Sequence, residues 1–144
     1  MKNDILIMKM LPGDLSQVQE LYRELLGENC PLTTMRENYD HTTARPDCLP
    51  VVAKREDTIL GTATGFICTA LDAPFMVVEN VVVRKDCRGL GIGRKLLEQL
   101  DVFASENHCQ YSLLVSSGFR RDAHKFYEAA GYTDDVRGFR KKYY

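Results

Sequence analysis

The sequence predicts a mixed α/β domain built around one core, and three observations carry that expectation. Phe75 to Val83 is a near-continuous apolar run rich in β-branched residues, the pattern of a strand covered on both faces. A glycine cluster follows, Arg88-Gly89-Leu90-Gly91-Ile92-Gly93, and from there Ile92, Leu96, Leu97 and Leu100 mark one face of a helix. The chain has 144 residues, 44% hydrophobic and 27% charged, which suits a single domain over residues 1–144 and is short for two.

The remaining elements follow in order. Ile5 to Met10 reads as a first strand, and Leu11-Pro12-Gly13 turns. Asp14 with Gln17 three residues on resembles a capping box. Leu15, Val18, Leu21, Tyr22, Leu25 and Leu26 then form an apolar stripe that ends at Gly27. Residues 28–48 are polar and irregular, with a short helix expected around Thr34 to Tyr39. Leu49 to Lys54 and Ile59 to Thr69 read as strands around the charged turn Arg55-Glu56-Asp57. Gly61 and Gly65 inside the second point to a bulge or to close packing. After the helix of Gly91 to Ser105 come a strand, Gln110 to Val115, a break at Ser116-Ser117-Gly118, and a helix from Arg121 to Ala130 closed by Gly131. Phe139 to Tyr143 is expected as a last strand. The strand–helix–strand unit over 75–115 is expected to be a right-handed parallel crossover.

Composition excludes several classes. A net charge of −1 argues against a general nucleic-acid or membrane-surface binder, although Arg84, Lys85, Arg88, Arg94 and Lys95 form a local basic patch. The five cysteines (Cys30, Cys48, Cys68, Cys87 and Cys109) are widely spaced, without a C-x-x-C pair. No metal site or disulfide framework is expected. His41, His108 and His124 have no ligand spacing either. Ile5 to Leu11 is too short and too charged for a signal segment or a membrane span, so the expected location is cytoplasmic.

Strand, glycine turn and helix are the elements that present backbone N–H groups and a helix N-terminus to an anion. Glycines there allow positive φ and close approach, and Arg88 and Arg94 flank the turn with cationic donors. Two other phosphate motifs are excluded. A G-x-G-x-x-G string starting at Gly89 would need glycine where Arg94 stands, and a P-loop would need Ser or Thr where Lys95 stands. Glu79 is the local anomaly. A carboxylate inside an apolar run must be exposed, paired or functional, and its bland explanation is a strand bulge that meets solvent or an arginine. Tyr127 shares a helical face with Ala123, Phe126 and Ala130 and reads first as a core aromatic, yet a tyrosine can bury its ring and still present its hydroxyl.

Arg88, Gly91 and Gly93 in an R-x-x-G-x-G string, with Ala123, Phe126, Tyr127, Glu128, Gly131 and Tyr132 following in an A-x-x-F-Y-E-x-x-G-Y string, resemble the GNAT superfamily of acyl-CoA N-acyltransferases. The likeness covers roughly residues 50–135. It implies a GNAT fold: a central mixed, largely antiparallel sheet with a splayed parallel strand pair, flanked by helices. It also implies acetyl-CoA as co-substrate. Gly89, Leu90, Gly91, Ile92, Gly93 and Arg94, with Arg88, would hold the pyrophosphate. Val81, Val82 and Val83 would line pantetheine, Val81 and Val83 through main-chain hydrogen bonds, with a backbone N–H near Val81 for the oxyanion. By the same resemblance Tyr127 serves the departing thiolate, Glu79 is the general base or an acceptor contact, and Asn80 is an acceptor-binding amide.

Val78-Glu79-Asn80-Val81-Val82-Val83 is further similar to a segment of glucosamine-6-phosphate N-acetyltransferases, as is His108-Cys109-Gln110-Tyr111, with Asn80 in place of a second acid. The chain departs from the family at Ser116, Ser117 and Gly118, where many members carry an asparagine. Arg120 and Arg121 could approach coenzyme phosphates, though a solvated helix start is the simpler reading. The expected activity is transfer of an acetyl group to a primary amine of a small molecule, by direct attack in a ternary complex. A protein lysine or N-terminal acetyltransferase and a non-catalytic acyl-CoA-binding module are the alternatives. Dimerisation is common for this fold, so a homodimer is also an expectation.

Overall fold

The computed structural model describes residues 4–27, 30–115 and 121–144, with the backbone alone at Leu26 and Arg121. Five strands form one sheet in the order β1-β2-β3-β4-β5: β1 Leu6–Lys9, β2 Cys48–Arg55, β3 Thr58–Thr69, β4 Pro74–Val83 and β5 Ser112–Leu113. The first three pairings are antiparallel and β4–β5 is parallel. Among the described residues four α-helices accompany the sheet: α1 Leu15–Leu26, α2 Leu32–Thr43, α3 Ile92–Glu106 and α4 Arg121–Ala129. This is the mixed, largely antiparallel sheet expected.

Two cores lie on the two faces of the sheet. On one, Ile92, Leu96, Leu97 and Leu100 of α3 bury against Val51, Ala53, Ala63, Met76 and Val78. On the other, Val18 and Leu21 of α1 and Met35 of α2 pack on Val52, Ile59 and Val82. Gly61 and Gly65 are where α3 comes closest. A Cβ on Gly61 would stand 3.2 Å from both Ile92 and Leu96 side-chain atoms, and one on Gly65 would stand 2.9 Å from Met76 Sδ and 3.2 Å from Leu100 Cδ2. A register shift on β3 also falls beside Gly61, between the pairs Ala53–Gly61 and Lys54–Ile59.

Four details differ from expectation. The helix after Gly27 is α2, twelve residues long. Its apolar contacts are Leu32, Met35 and Tyr39, and the Tyr39 hydroxyl donates to the Met10 carbonyl at 2.9 Å. Gln17 makes no capping box: its amide nitrogen donates to the Asp57 carbonyl and its oxygen accepts the Ile59 N–H, tying α1 to the β2–β3 turn. Asp14 instead accepts the Leu11 N–H and pairs with Lys54 at 3.0 Å. Residues 139–143 form no strand: Phe139 and Tyr143 are exposed, and Arg140, Lys141 and Lys142 between them leave no apolar alternation to bury. The expected break at Ser116-Ser117-Gly118, and Arg120, lie outside the described residues.

Candidate active site

The site forms where β4 leaves β5. Only Met76–Ser112 and Val77–Leu113 pair, extended by backbone bonds from Gln110 to Pro74 and from Met76 to Tyr111, each 3.0 Å. Beyond Val77 no described residue of β5 follows β4, so the strand's outer edge from Val78 onward is open. A bulge then turns the strand. Thr62 pairs with Val82 and Thr64 with Glu79, so Asn80 and Val81 together face the single residue Ala63. Asn80 adopts φ 55°, a left-handed conformation that asparagine tolerates better than most residues. The extra residue reverses which side chains face which core. Met76 and Val78 face α3 before it, Val81 and Val83 do so after it, and Val82 turns toward α1.

At the end of β4 the chain makes a 3-10 turn, Lys85–Cys87, and then the glycine loop. Gly89 and Gly91 have φ of 83° and 79°. Gly91 precedes α3, and among the described residues no side chain caps the helix's first amides, so these donors are open to a ligand. Arg88 is exposed and makes no ion pair among the described residues, whereas Arg94 lies 3.4 Å from Glu98, both side chains exposed. Arg84 pairs with Asp86 at 2.8 Å. Leu90 is exposed and lies outside the cleft lining.

A cleft of about 990 Å³ joins these parts, the upper end of small-ligand pockets. Val81, Val82 and Val83 line one wall, and Arg88, Gly89, Gly91, Ile92, Gly93 and Arg94 the mouth. Ala123, Phe126 and Tyr127 of α4 line the cleft as well. The glycine loop, the open strand and Tyr127 are thus brought to one space. Glu79 and Asn80 are outside this lining, one bulge upstream of Val81. Glu79 is exposed on the sheet face shared with α1, without a hydrogen bond or ion pair among the described residues.

The cleft also takes in Glu24 and Leu25 of α1, Cys87, and Asp122 and Ala129 of α4, which sequence reasoning left out. Cys87 was signalled only by adjoining Arg88. Glu24 reaches the cleft because α1 crosses β4, a tertiary fact with no local signature. Burial pushes the Cys87 thiol up, helped by Asp86 beside it, and burial likewise raises the Cys109 thiol, so neither thiol is tuned toward a thiolate nucleophile. Around Tyr127, the Phe126 ring lies 5.2 Å away, and Tyr132 meets it edge-on at 6.2 Å. Tyr132 N–H donates to the Tyr127 carbonyl at 3.0 Å. Among the described residues no cluster of three or more His, Cys, Asp or Glu could hold a metal ion, and no helix is long and apolar enough to cross a membrane.

This sheet, split beside an uncapped glycine turn, is the architecture of an acyl-CoA transferase. The acetyltransferase (GNAT) family profile matches residues 15–132, and the chain belongs to that family. An uncharacterised N-acetyltransferase of Methanocaldococcus jannaschii is 30% identical over 141 residues, covering 97% of this chain and 84% of the relative. The glucosamine-6-phosphate N-acetyltransferase of Arabidopsis thaliana superposes with TM-score 0.85 at 20% identity, over 97% of this chain and 99% of its own. An aminoglycoside N-acetyltransferase in complex with CoA gives TM-score 0.82 at 17% identity, over 99% and 97%. Both structures share the fold. The protein is therefore an enzyme, an acetyl-CoA-dependent acyltransferase.

Proposed function

We propose that this domain, taken over residues 1–144, transfers an acetyl group from acetyl-CoA to the primary amine of a small molecule, by direct attack in a ternary complex. The observation that carries the reading is the meeting of the glycine loop, the open edge of β4 and Tyr127 in one cleft. The fit to coenzyme A rests on three features seen among the described residues: a start of α3 without a side-chain cap beside two left-handed glycines, an Arg88 guanidinium outside any ion pair, and a strand edge from Val78 to Val83 that no strand pairs. Gly89 to Arg94, with Arg88, would take the pyrophosphate, and Val81, Val82 and Val83 would flank the pantetheine arm.

In the reaction the amine nitrogen attacks the thioester carbonyl, a C–N bond forms, and the C–S bond breaks. A backbone N–H near Val81 supports the oxyanion, since the bulge re-aims this stretch. Glu79 takes the proton lost by the amine, directly or through one water, and Asn80 contacts the acceptor. Tyr127 gives a proton or hydrogen bond to the departing sulfur. The exposure of Glu79 supports its access to an acceptor. An amino sugar is one candidate acceptor, and another small primary amine, a polyamine or an amino acid suits the reading equally.

The test is release of CoA, followed by mass spectrometry, against amino sugars with and without phosphate, polyamines, amino acids and lysine peptides. Turnover is expected with a small amine. Tyr127→Phe is expected to lower kcat by about tenfold to a hundredfold, and Glu79→Gln to lower kcat/KM for the acceptor by at least about tenfold. Turnover confined to lysine peptides would reassign the acceptor to protein. Near-normal rates in either variant would remove that residue from the chemistry.

A further inference from the structure

Gly93 closes the R-x-x-G-x-G string but has a different environment from its companions. Gly89 and Gly91 have positive φ and open space where a Cβ would stand, as expected of a loop that receives a ligand. Gly93 is buried inside the first turn of α3. A Cβ there would meet Phe126 of α4, at 2.8 Å from Cζ, 3.2 Å from Cε1 and 3.6 Å from Cε2. Real Cβ contacts do not come under 3.0 Å, so the Phe126 ring occupies the volume that any other residue at 93 would fill.

The contact matters because α4 is only nine residues long. It reaches the α3 core through Phe126 and Tyr127, with Ala130 and Tyr132 just beyond its end. Adjacent residues on a helix point about 100° apart. With Phe126 turned onto α3, Tyr127 is therefore turned along the cleft wall, its ring 5.2 Å from that of Phe126. A helix this short relieves a clash by rolling or lifting, and either motion carries Tyr127 with it. We infer that Gly93 is a positioning residue. Its missing side chain seats Phe126 on the first turn of α3, and that seat sets the rotation of α4 that aims Tyr127 into the cleft. The inference rests on the reading of Tyr127 as the group that serves the thiolate.

The experiment pairs kinetics with a geometric signal. Protein labelled with 3-fluorotyrosine is compared as wild type, Gly93→Ala, Phe126→Leu and the double variant, with the Tyr127 fluorine resonance identified by its loss in Tyr127→Phe. Gly93→Ala is expected to move the Tyr127 resonance and to lower kcat about tenfold at saturating CoA, beyond any change in the Kd for CoA that its place in the pyrophosphate loop brings. The double variant, with a side chain that yields to the new methyl group, is expected to return the resonance and most of kcat. A rise in the CoA Kd that accounts for the whole kinetic loss, with the resonance unmoved, would confine Gly93 to its part in the pyrophosphate loop and overturn the inference. So would a double variant whose losses simply add. Should Gly93→Ala fail to fold, Phe126→Leu alone empties the seat from the other side, and an unmoved resonance there overturns it equally. Normal turnover in Tyr127→Phe would sink the role of Tyr127, while the resonance would still decide whether Gly93 seats α4.

Discussion

Tyr132 carries a polar atom that no described residue satisfies. Its hydroxyl is buried, lies near Ser112 and completes no hydrogen bond there. Burial pushes its pKa up to about 12, with the Asp101 carboxylate adding to the effect. The folded value thus exceeds the ordinary tyrosine value of about 10. Stability linked to this group is complete below about pH 10 and is lost as pH rises through the interval from 10 to 12. Tyr132→Phe removes the unsatisfied hydroxyl and the titration together. The variant is expected to be at least as stable as wild type at pH 7, by up to about 1 kcal/mol, and to lose less stability than wild type between pH 10 and 11. Urea melts at the two pH values check this, and a variant less stable at pH 7 would mean that the hydroxyl is bonded.

At the scale of elements, the face of α3 was legible because Ile92, Leu96, Leu97 and Leu100 are apolar at helical spacing, and β4 because its run is long and β-branched. The glycines of β3 were legible as a signal but ambiguous between bulge and close packing; both occur at Gly61, and close packing alone explains Gly65. Helix α2 was seen only in its middle, since LTTMRENYDHTT has three apolar contacts in twelve residues and its anchor is a tyrosine bonded to a distant carbonyl. The Asn80 bulge is visible only when the register of β3 against β4 is known. Gly93 looked like its neighbours because a motif records residue type and not what the absent side chain makes room for. Gly65 allows a direct test of the α3–sheet seam. Gly65→Ala would place a methyl 2.9 Å from Met76 Sδ and 3.2 Å from Leu100, and overpacking of this kind costs about 1–3 kcal/mol. A chemical-denaturation midpoint equal to wild type would show that Met76 gives way freely.

For the molecule as a whole, the same feature that makes the cleft also leaves the fold incomplete. Among the described residues the sheet has no neighbour along the outer edge of β4 beyond Val77, and the first amides of α3 have no capping side chain, so backbone donors that a closed fold would pair are left for a ligand. A ligand that fills both gaps binds the folded chain and not the unfolded one, and stabilises it by mass action, about 2.7 kcal/mol at a hundred times Kd. For a domain of this size that corresponds to a rise in Tm of about 6–10 °C. Coenzyme A is therefore expected to raise the melting temperature by several degrees without any amine acceptor present. Arg88 separates loop binding from general stability. It is exposed and unpaired among the described residues, so Arg88→Ala is expected to melt within about 0.5 kcal/mol of wild type when free, yet to show a smaller shift at the same CoA concentration. A wild-type protein that CoA does not stabilise would mean that the open strand and the glycine turn serve another ligand. An unchanged shift in Arg88→Ala would mean that the backbone amides hold the pyrophosphate without it.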